Sequence, residues 1–168
     1  WTMRGSINNF DEEFVSLLAE AGCRAIMLGV ESANDDILRR FNRRSGDGHL
    51  QKTFRLLTPY RIMLGGYFML GFPGETKAMA DKTIDLACAL PLHLAHFLPV
   101  TPIPDTRMFE ELLAQGGFED VYAPHVLNPQ PDFMYPYFED KLSMTDMAAL
   151  CSRAYRRFYL RPSLILRH

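Results

Sequence analysis

Two short segments bring together residue types that could handle a polar small molecule. The first is Val30-Glu31-Ser32, a carboxylate beside a hydroxyl at the end of an apolar run from Cys23 to Val30. At the carboxyl end of a parallel strand such a pair lies where ligands bind in α/β proteins. The same residues suit a structural role equally, with Ser32 capping the next helix and Glu31 pairing with an arginine. The second segment is Gly66-Tyr-Phe-Met-Leu-Gly-Phe-Pro-Gly-Glu-Thr76. Tyr67 to Leu70 has the continuous apolar character of a strand covered on both faces. Gly71 and Gly74 permit backbone conformations that a Cβ disfavours, and Pro73 fixes the turn between them. The amides of Gly71-Phe-Pro-Gly-Glu75 could meet an anionic or polar ligand group, or the turn could be purely conformational. Glu75 argues against a bare phosphate and for a ligand bearing amines or hydroxyls.

The remaining polar clusters are less pointed. Arg39, Arg40, Arg43 and Arg44 crowd the end of a helix that opens with Asp35 and Asp36, an order that suits the helix dipole. They read as a solvated helix end, from which one member could reach a carboxylate in bidentate fashion. His93 and His96 are three apart in a strand and therefore point to opposite faces, which argues against a two-histidine metal site. His49, His125 and His168 have no partner at ligand spacing. No Ser/His/Asp set, Walker loop or zinc motif occurs. Cys23, Cys88 and Cys151 are too widely spaced for a compact metal motif and read as small buried hydrophobes, reduced in a cytoplasmic protein.

These residues need a frame, and the hydrophobic periodicity supplies one. Strands are expected at Trp1–Arg4, Cys23–Val30, Arg61–Leu70 and Leu92–Leu98. Helices are expected after an Asn9/Glu12 capping box, after Ser32 or Asn34, over His49–Tyr60, Lys77–Ala89 and Arg107–Gln115, and from Ser143 to a stop at Pro162. Residues 117–142, rich in Pro, Tyr and Phe, read as irregular. The alternation β-α-β-α-α-β-α-β-α implies an α/β fold with a parallel sheet, whose first strand is an open edge. A length of 168 residues fits one domain, and a net charge of −2 does not favour bulk binding to nucleic acid or anionic membrane. No apolar run approaches the length of a membrane span. Because the chain opens in a strand, residues upstream of Trp1 are expected.

Four segments resemble, in order, the radical S-adenosylmethionine enzymes of the cobalamin-associated and methylthiotransferase-like branch. They are Glu20-Ala-Gly-Cys-Arg-Ala-Ile-Met-Leu-Gly-Val-Glu-Ser-Ala33 with Ile37-Leu38, Phe68-Met-Leu-Gly-Phe-Pro-Gly-Glu-Thr76, Thr101-Pro-Ile-Pro-Asp-Thr106 and Arg157-Phe-Tyr-Leu-Arg-Pro162. The third departs from the family's usual pattern, which has Gly where Asp105 stands. The resemblance implies a partial parallel βα barrel. This chain would supply four of its six strands, the third to sixth, within residues 1–116, followed by an irregular segment and helical extension over 117–168.

The family's hallmark is a Cys-x3-Cys-x2-Cys loop on the first strand, holding a [4Fe–4S] cluster that drives cleavage of S-adenosylmethionine to a 5′-deoxyadenosyl radical. This sequence contains no such motif. The resemblance therefore implies a cofactor-positioning fragment, silent alone, of an enzyme of the methylation or methylthiolation class. The alternative is a non-catalytic α/β binding or scaffold module. The implied cofactors are S-adenosylmethionine, a cluster in the full-length protein, and cobalamin. The implied partners are the cluster-bearing segment and a substrate chosen in part by residues 117–142. By position, Glu31 and Ser32 would meet the ribose and methionine end, and Arg43, with Arg39 as rival, the methionine carboxylate. Leu70 and Gly71 would meet the adenine through backbone, and Val100 and Thr101 would line the adenine side. No catalytic residue or metal ligand is assigned.

Overall fold

The computed structural model describes residues 1–41, 48–116 and 118–165. The elements run β1 (Thr2–Ser6), α1 (Glu12–Glu20), β2 (Ala25–Glu31), α2 (Asp35–Arg40), α3 (His49–Leu57), β3 (Met63–Leu70), α4 (Lys77–Ala89), β4 (Leu94–Pro99), α5 (Arg107–Ala114), α6 (Tyr122–Leu127), α7 (Met144–Tyr159) and α8 (Pro162–Ile165). The strands form one parallel sheet in the order β1-β2-β3-β4, each lying beside its sequence neighbour. This is the expected four-stranded portion of a βα barrel with helices following.

Local chemistry sets most boundaries. Asp11, and not Asn9, caps α1, its side chain accepting from Phe14 N at 2.8 Å; both residue types cap well, and Asp11 is the one with β-region dihedrals there. Gly22 ends that helix at φ 77°. Asn34 holds the N-cap position of α2 without a side-chain capping bond. Thr76 and Thr106 cap α4 and α5. Ser143 and Asp146 form a capping box on α7. Pro162 opens the short α8, while α7 has already stopped at Tyr159. The segment expected to be irregular contains the helical turn and a half of α6.

Burial alternates along β1, β2 and β4, and along β3 from Gly66 onward, and divides the sheet into two unlike faces. Ile26, Leu28, Val30, Leu64, Phe68, Leu70, Ala95 and Phe97 face one core, which α1, α3, α4 and α7 cover with Val15, Leu18, Leu57, Ile84, Leu150 and Phe158 among others. Each fully buried side chain of this size stabilises by about 1.5–3 kcal/mol. The other face is left open by these helices. Tyr67 and Met69 lie on it half-exposed, so β3 is covered on one face only. Its unbroken apolar character comes from an open face that is itself largely apolar.

Helix α7 closes the far edge of the sheet. Tyr155 Oη accepts from Phe97 N at 3.2 Å, and Tyr159 Oη accepts from Ala95 N at 3.2 Å and donates to Ala95 O at 3.1 Å. The two hydroxyls, one helical turn apart, meet two residues two apart on β4. A helical i,i+4 step of about 6 Å matches a strand i,i+2 step of about 6.6 Å. Arg161 pins the end of the same helix, donating to Cys88 O at 2.7 Å and packing 3.9 Å from the centre of the Phe158 ring. Among the described residues no helix is long and apolar enough to cross a membrane.

Candidate functional site

The carboxyl ends of β2, β3 and β4 converge on one rim. Glu31 sits there after a β-bulge that shifts the β2/β3 register between Gly29 and Glu31. Its φ is 70°, a left-handed conformation costing a non-glycine residue roughly 1–2 kcal/mol. Bulge and positive φ together turn the half-exposed residue toward the open face, with Oε2 itself buried. It leans back over Gly29, where an added methyl group would lie 3.5 Å from Glu31 Oε1. Strained residues of this kind concentrate at binding sites.

Ser32 turns the other way. Its hydroxyl is buried and accepts from Asn34 N and Asn34 Nδ2, each at 3.1 Å, and lies 3.3 Å from Thr83 Oγ1 on α4. Thr83 Oγ1 also accepts from Ala33 N at 3.1 Å. This knot ties the strand end to α4 and holds the backbone that positions Glu31. Ser32 thus reaches the rim through the backbone, and its side chain does not share the open face with Glu31.

The Gly71–Glu75 turn is already filled by its own acid. Glu75 is 1% exposed, and its Oε2 accepts from Gly71 N at 2.6 Å and Phe72 N at 3.2 Å. Gly74 N donates to Asp140 Oδ2 at 2.8 Å, which anchors the 117–142 segment to the rim. These three amides are spent on protein acceptors, so the turn does not offer an open amide nest to a ligand. Burial pushes the Glu75 carboxyl up to about 7, against the two amide bonds that pull it down. Gly71 itself stands at φ 87°, and a Cβ there would meet Met147 Sδ at 2.5 Å.

Below the rim, Ile37, Phe41, Phe72 and Val100 form a second apolar cluster, with the Phe41 and Phe72 rings stacked at 5.6 Å. Leu70 and Val100 are buried, joined by Val100 N donating to Leu70 O at 2.8 Å, while Thr101 is half-exposed. Asp105 adopts φ 62°, a conformation that glycine takes more readily. Arg39 is an exposed partner of Asp36 at 3.0 Å. Arg43 lies outside the described residues. The arginine that approaches the rim is Arg40, which donates to Glu111 Oε2 at 3.1 Å and to Pro73 O at 3.4 Å. Arg39 and Arg40, about 100° apart on α2, cannot be separated by pattern alone.

Neither of two sizeable cavities coincides with the rim. One of about 480 Å³, lined by Arg24, Tyr60, Arg61 and His93, lies at the amino ends of β2 and β3. Another of about 450 Å³, lined by His125, Phe133 and Met134, lies within the 117–142 segment. The three thiols do not make a metal centre. Cys23 is buried and donates to Ala25 O, and burial raises the Cys88 and Cys151 thiols above their ordinary range. Among the described residues no cluster of three or more His, Cys, Asp or Glu could hold a metal.

A four-stranded parallel sheet with helices on one face and the other face open defines a barrel-type α/β core. The chain belongs to the radical SAM superfamily, whose description matches residues 2–87. It is 26% identical over 167 residues to an uncharacterized methyltransferase of Pyrococcus horikoshii, covering 99% of this chain and 36% of that protein. It is 29% identical over 155 residues to the anaerobic magnesium-protoporphyrin IX monomethyl ester cyclase of Cereibacter sphaeroides, covering 92% and 24%. The radical S-adenosylmethionine methyltransferase TsrM of Kitasatospora setae, with cobalamin and a [4Fe–4S] cluster bound, shares the fold at a TM-score of 0.70, with 22% identity over 96% of this chain and 36% of that one. The chain therefore spans about a third or less of the length of these relatives.

Proposed function

We propose that this chain is the S-adenosylmethionine-facing wall of a radical S-adenosylmethionine enzyme that modifies a small molecule by methylation or methylthiolation. Residues 1–116 serve as the barrel portion, and 117–168 as the extension that anchors to its rim and edge. The single observation that carries this reading is Glu31, a carboxylate held in a strained conformation on the open face at the strand ends. A carboxylate there suits the hydroxyls of a ribose and the ammonium of a methionine moiety. Thr101 offers a hydroxyl, and Gly71 and Val100 offer their carbonyls to a base, the Gly71 amide being held by Glu75 and the Leu70 carbonyl by Val100 N. Ser32 holds the Glu31 backbone in place through Thr83. Arg43 remains the proposed partner of the methionine carboxylate.

The thiols of this chain do not fit an iron–sulfur cluster, so no electron-transfer step is assigned to its residues. Cobalamin belongs to the proposal through the methyltransferase relatives, and no residue here is assigned to it. A small-molecule substrate agrees with the cyclase named above and with TsrM, which has also been solved with tryptophan and a S-adenosylmethionine analogue.

The test uses the full-length protein, reconstituted anaerobically with iron and sulfide. It is expected to form 5′-deoxyadenosine, whereas residues 1–168 alone form none. Glu31→Gln is expected to weaken S-adenosylmethionine binding roughly tenfold, the scale of one charge-assisted hydrogen bond, with cluster content unchanged. A stable cluster with deoxyadenosine formation on residues 1–168 alone, or wild-type affinity in Glu31→Gln, overturns the reading.

A further inference from the structure

The open face carries a second arrangement, one tier below Glu31. Ser6, Gly29, Tyr67 and His96 occupy one register row across all four strands. The Tyr67 and His96 rings are stacked at 5.3 Å and 26°. Arg4, one tier further down on β1, reaches diagonally across β2 to place its guanidinium 5.8 Å from the Tyr67 ring centre. On β2 beneath this path stands Gly29, where an added Cβ would meet only Glu31 Oε1, at 3.5 Å. On Gly65 a Cβ would collide with Met27 Sδ. The absence of that Cβ lets the Met27 thioether lie flat over β3.

The result is a level floor of aromatic and apolar groups with a cation at one border. Ser6 Oγ accepts from Asn8 N at 3.4 Å, while the three larger polar groups are not consumed by the fold. Among the described residues Arg4 has no ion pair, and neither the Tyr67 hydroxyl nor the His96 ring makes a hydrogen bond. His93, by contrast, is engaged on the other side of the sheet, where its Nδ1 accepts from Leu64 N at 3.1 Å. Arg4 and His96 are exposed and Tyr67 is half-exposed, so a ligand can reach all three. Of the strand residues alternating onto this face, only Arg4 on β1 and Glu31 at the end of β2 carry full charge, and Glu31 Oε1 leans back over Gly29.

We infer that this plate binds the substrate, and that the substrate is a planar π-system bearing a carboxylate. Its ring lies on Tyr67 and His96, and its carboxylate is held by Arg4 on the β1 side. Aromatic stacking supplies a face that accepts many ring systems, while the guanidinium supplies orientation. The plate thereby selects flat anions over saturated ones. This inference names the substrate class of the site proposed above and rests on that reading.

The experiment titrates the intact chain with three probes by amide-resolved NMR, without S-adenosylmethionine. They are 2-naphthoate, its neutral isostere 2-naphthamide, and the non-planar anion cyclohexanecarboxylate. 2-Naphthoate is expected to bind near about 1 mM, with shifts centred on Gly29, Tyr67 and His96, and roughly five- to tenfold more tightly than either control. Arg4→Gln, a change at an exposed side chain, is expected to abolish the preference for naphthoate over naphthamide while leaving naphthamide binding unchanged. Tyr67→Leu is expected to weaken both aromatic probes, with an otherwise superposable spectrum as the folding control. Equal affinity for naphthoate and naphthamide, shifts centred elsewhere, or no saturable binding up to roughly 10 mM overturns the inference. Because no cluster or S-adenosylmethionine is present, such a failure is distinct from failure of the Glu31 test.

Discussion

Replacing Glu75 by Gln isolates the cost of ionising an acid inside the rim turn. The carboxyl is buried, two amides point at Oε2, and Oε1 has no hydrogen-bond partner. Its folded value of about 7 stands above the ordinary 4.5. A group raised in the folded state makes its full contribution below the unfolded value and loses it as pH climbs through the folded one. Between pH 4.5 and 7 the native chain binds more protons than the unfolded chain, so stability falls as pH rises. At about 1.4 kcal/mol per unit, the loss by pH 8.5 amounts to roughly 3 kcal/mol. Gln keeps an acceptor for the amides, cannot ionise, and removes this slope. Urea unfolding from pH 4.5 to 8.5 measures the effect. With slopes of about 1–3 kcal/mol/M, the wild-type midpoint should drop by about 1–3 M relative to Glu75→Gln across that range. Parallel pH profiles for the two proteins would refute the reasoning, because they would mean that Glu75 titrates alike in the folded and unfolded states.

Three other substitutions probe the parts that hold the rim and the edge. Thr83→Val, at a fully buried position, leaves Ala33 N and the Ser32 and Asn34 side chains short of a partner and is expected to cost about 2 kcal/mol in urea unfolding. Gly71→Ala meets both the positive φ and Met147 Sδ and is expected to lose about 2–4 kcal/mol in the same unfolding assay. The double change Tyr155→Phe with Tyr159→Phe removes both hydroxyls from β4, with an expected loss of about 1–3 kcal/mol and concentration-dependent association in sedimentation velocity.

The backbone order was largely legible, because strands, caps and glycine stops are local signals. Lys77–Ala89 emerges with its expected limits, and Gly22 and Gly116 stop helices at positive φ. The faces were harder to read. Met27, Tyr67, Met69 and Leu98 are as apolar as core residues yet line the open side, so hydrophobicity alone could not separate floor from core. Tyr155 fits the apolar stripe of α7 and does pack on Phe97, but its hydroxyl faces the strand edge, a relation that only three-dimensional pairing reveals. Glu31 was legible as a rim acid, while its bulge and strained φ were not, since both depend on pairing with β3. Glu75 looked like a ligand group because its amide partners are four and three residues away, within a turn whose shape the sequence leaves open. The turn of Ser32 toward Thr83 was hidden for a similar reason, as its partner lies 51 residues further along.

The tyrosine-bordered β4 makes the sheet directional. A further parallel strand has no vacant rung beside Ala95 or Phe97, whereas among the described residues β1 pairs only with β2. Among the described residues the sheet is therefore open to a further strand on the β1 side alone. The pleat of Thr2–Ser6 would act as a ruler for such a strand, and residues docking level with Thr2, Arg4 and Ser6 would enter the open face beside the guanidinium. A one-residue slip of that strand would exchange every side chain it presents there for its neighbour.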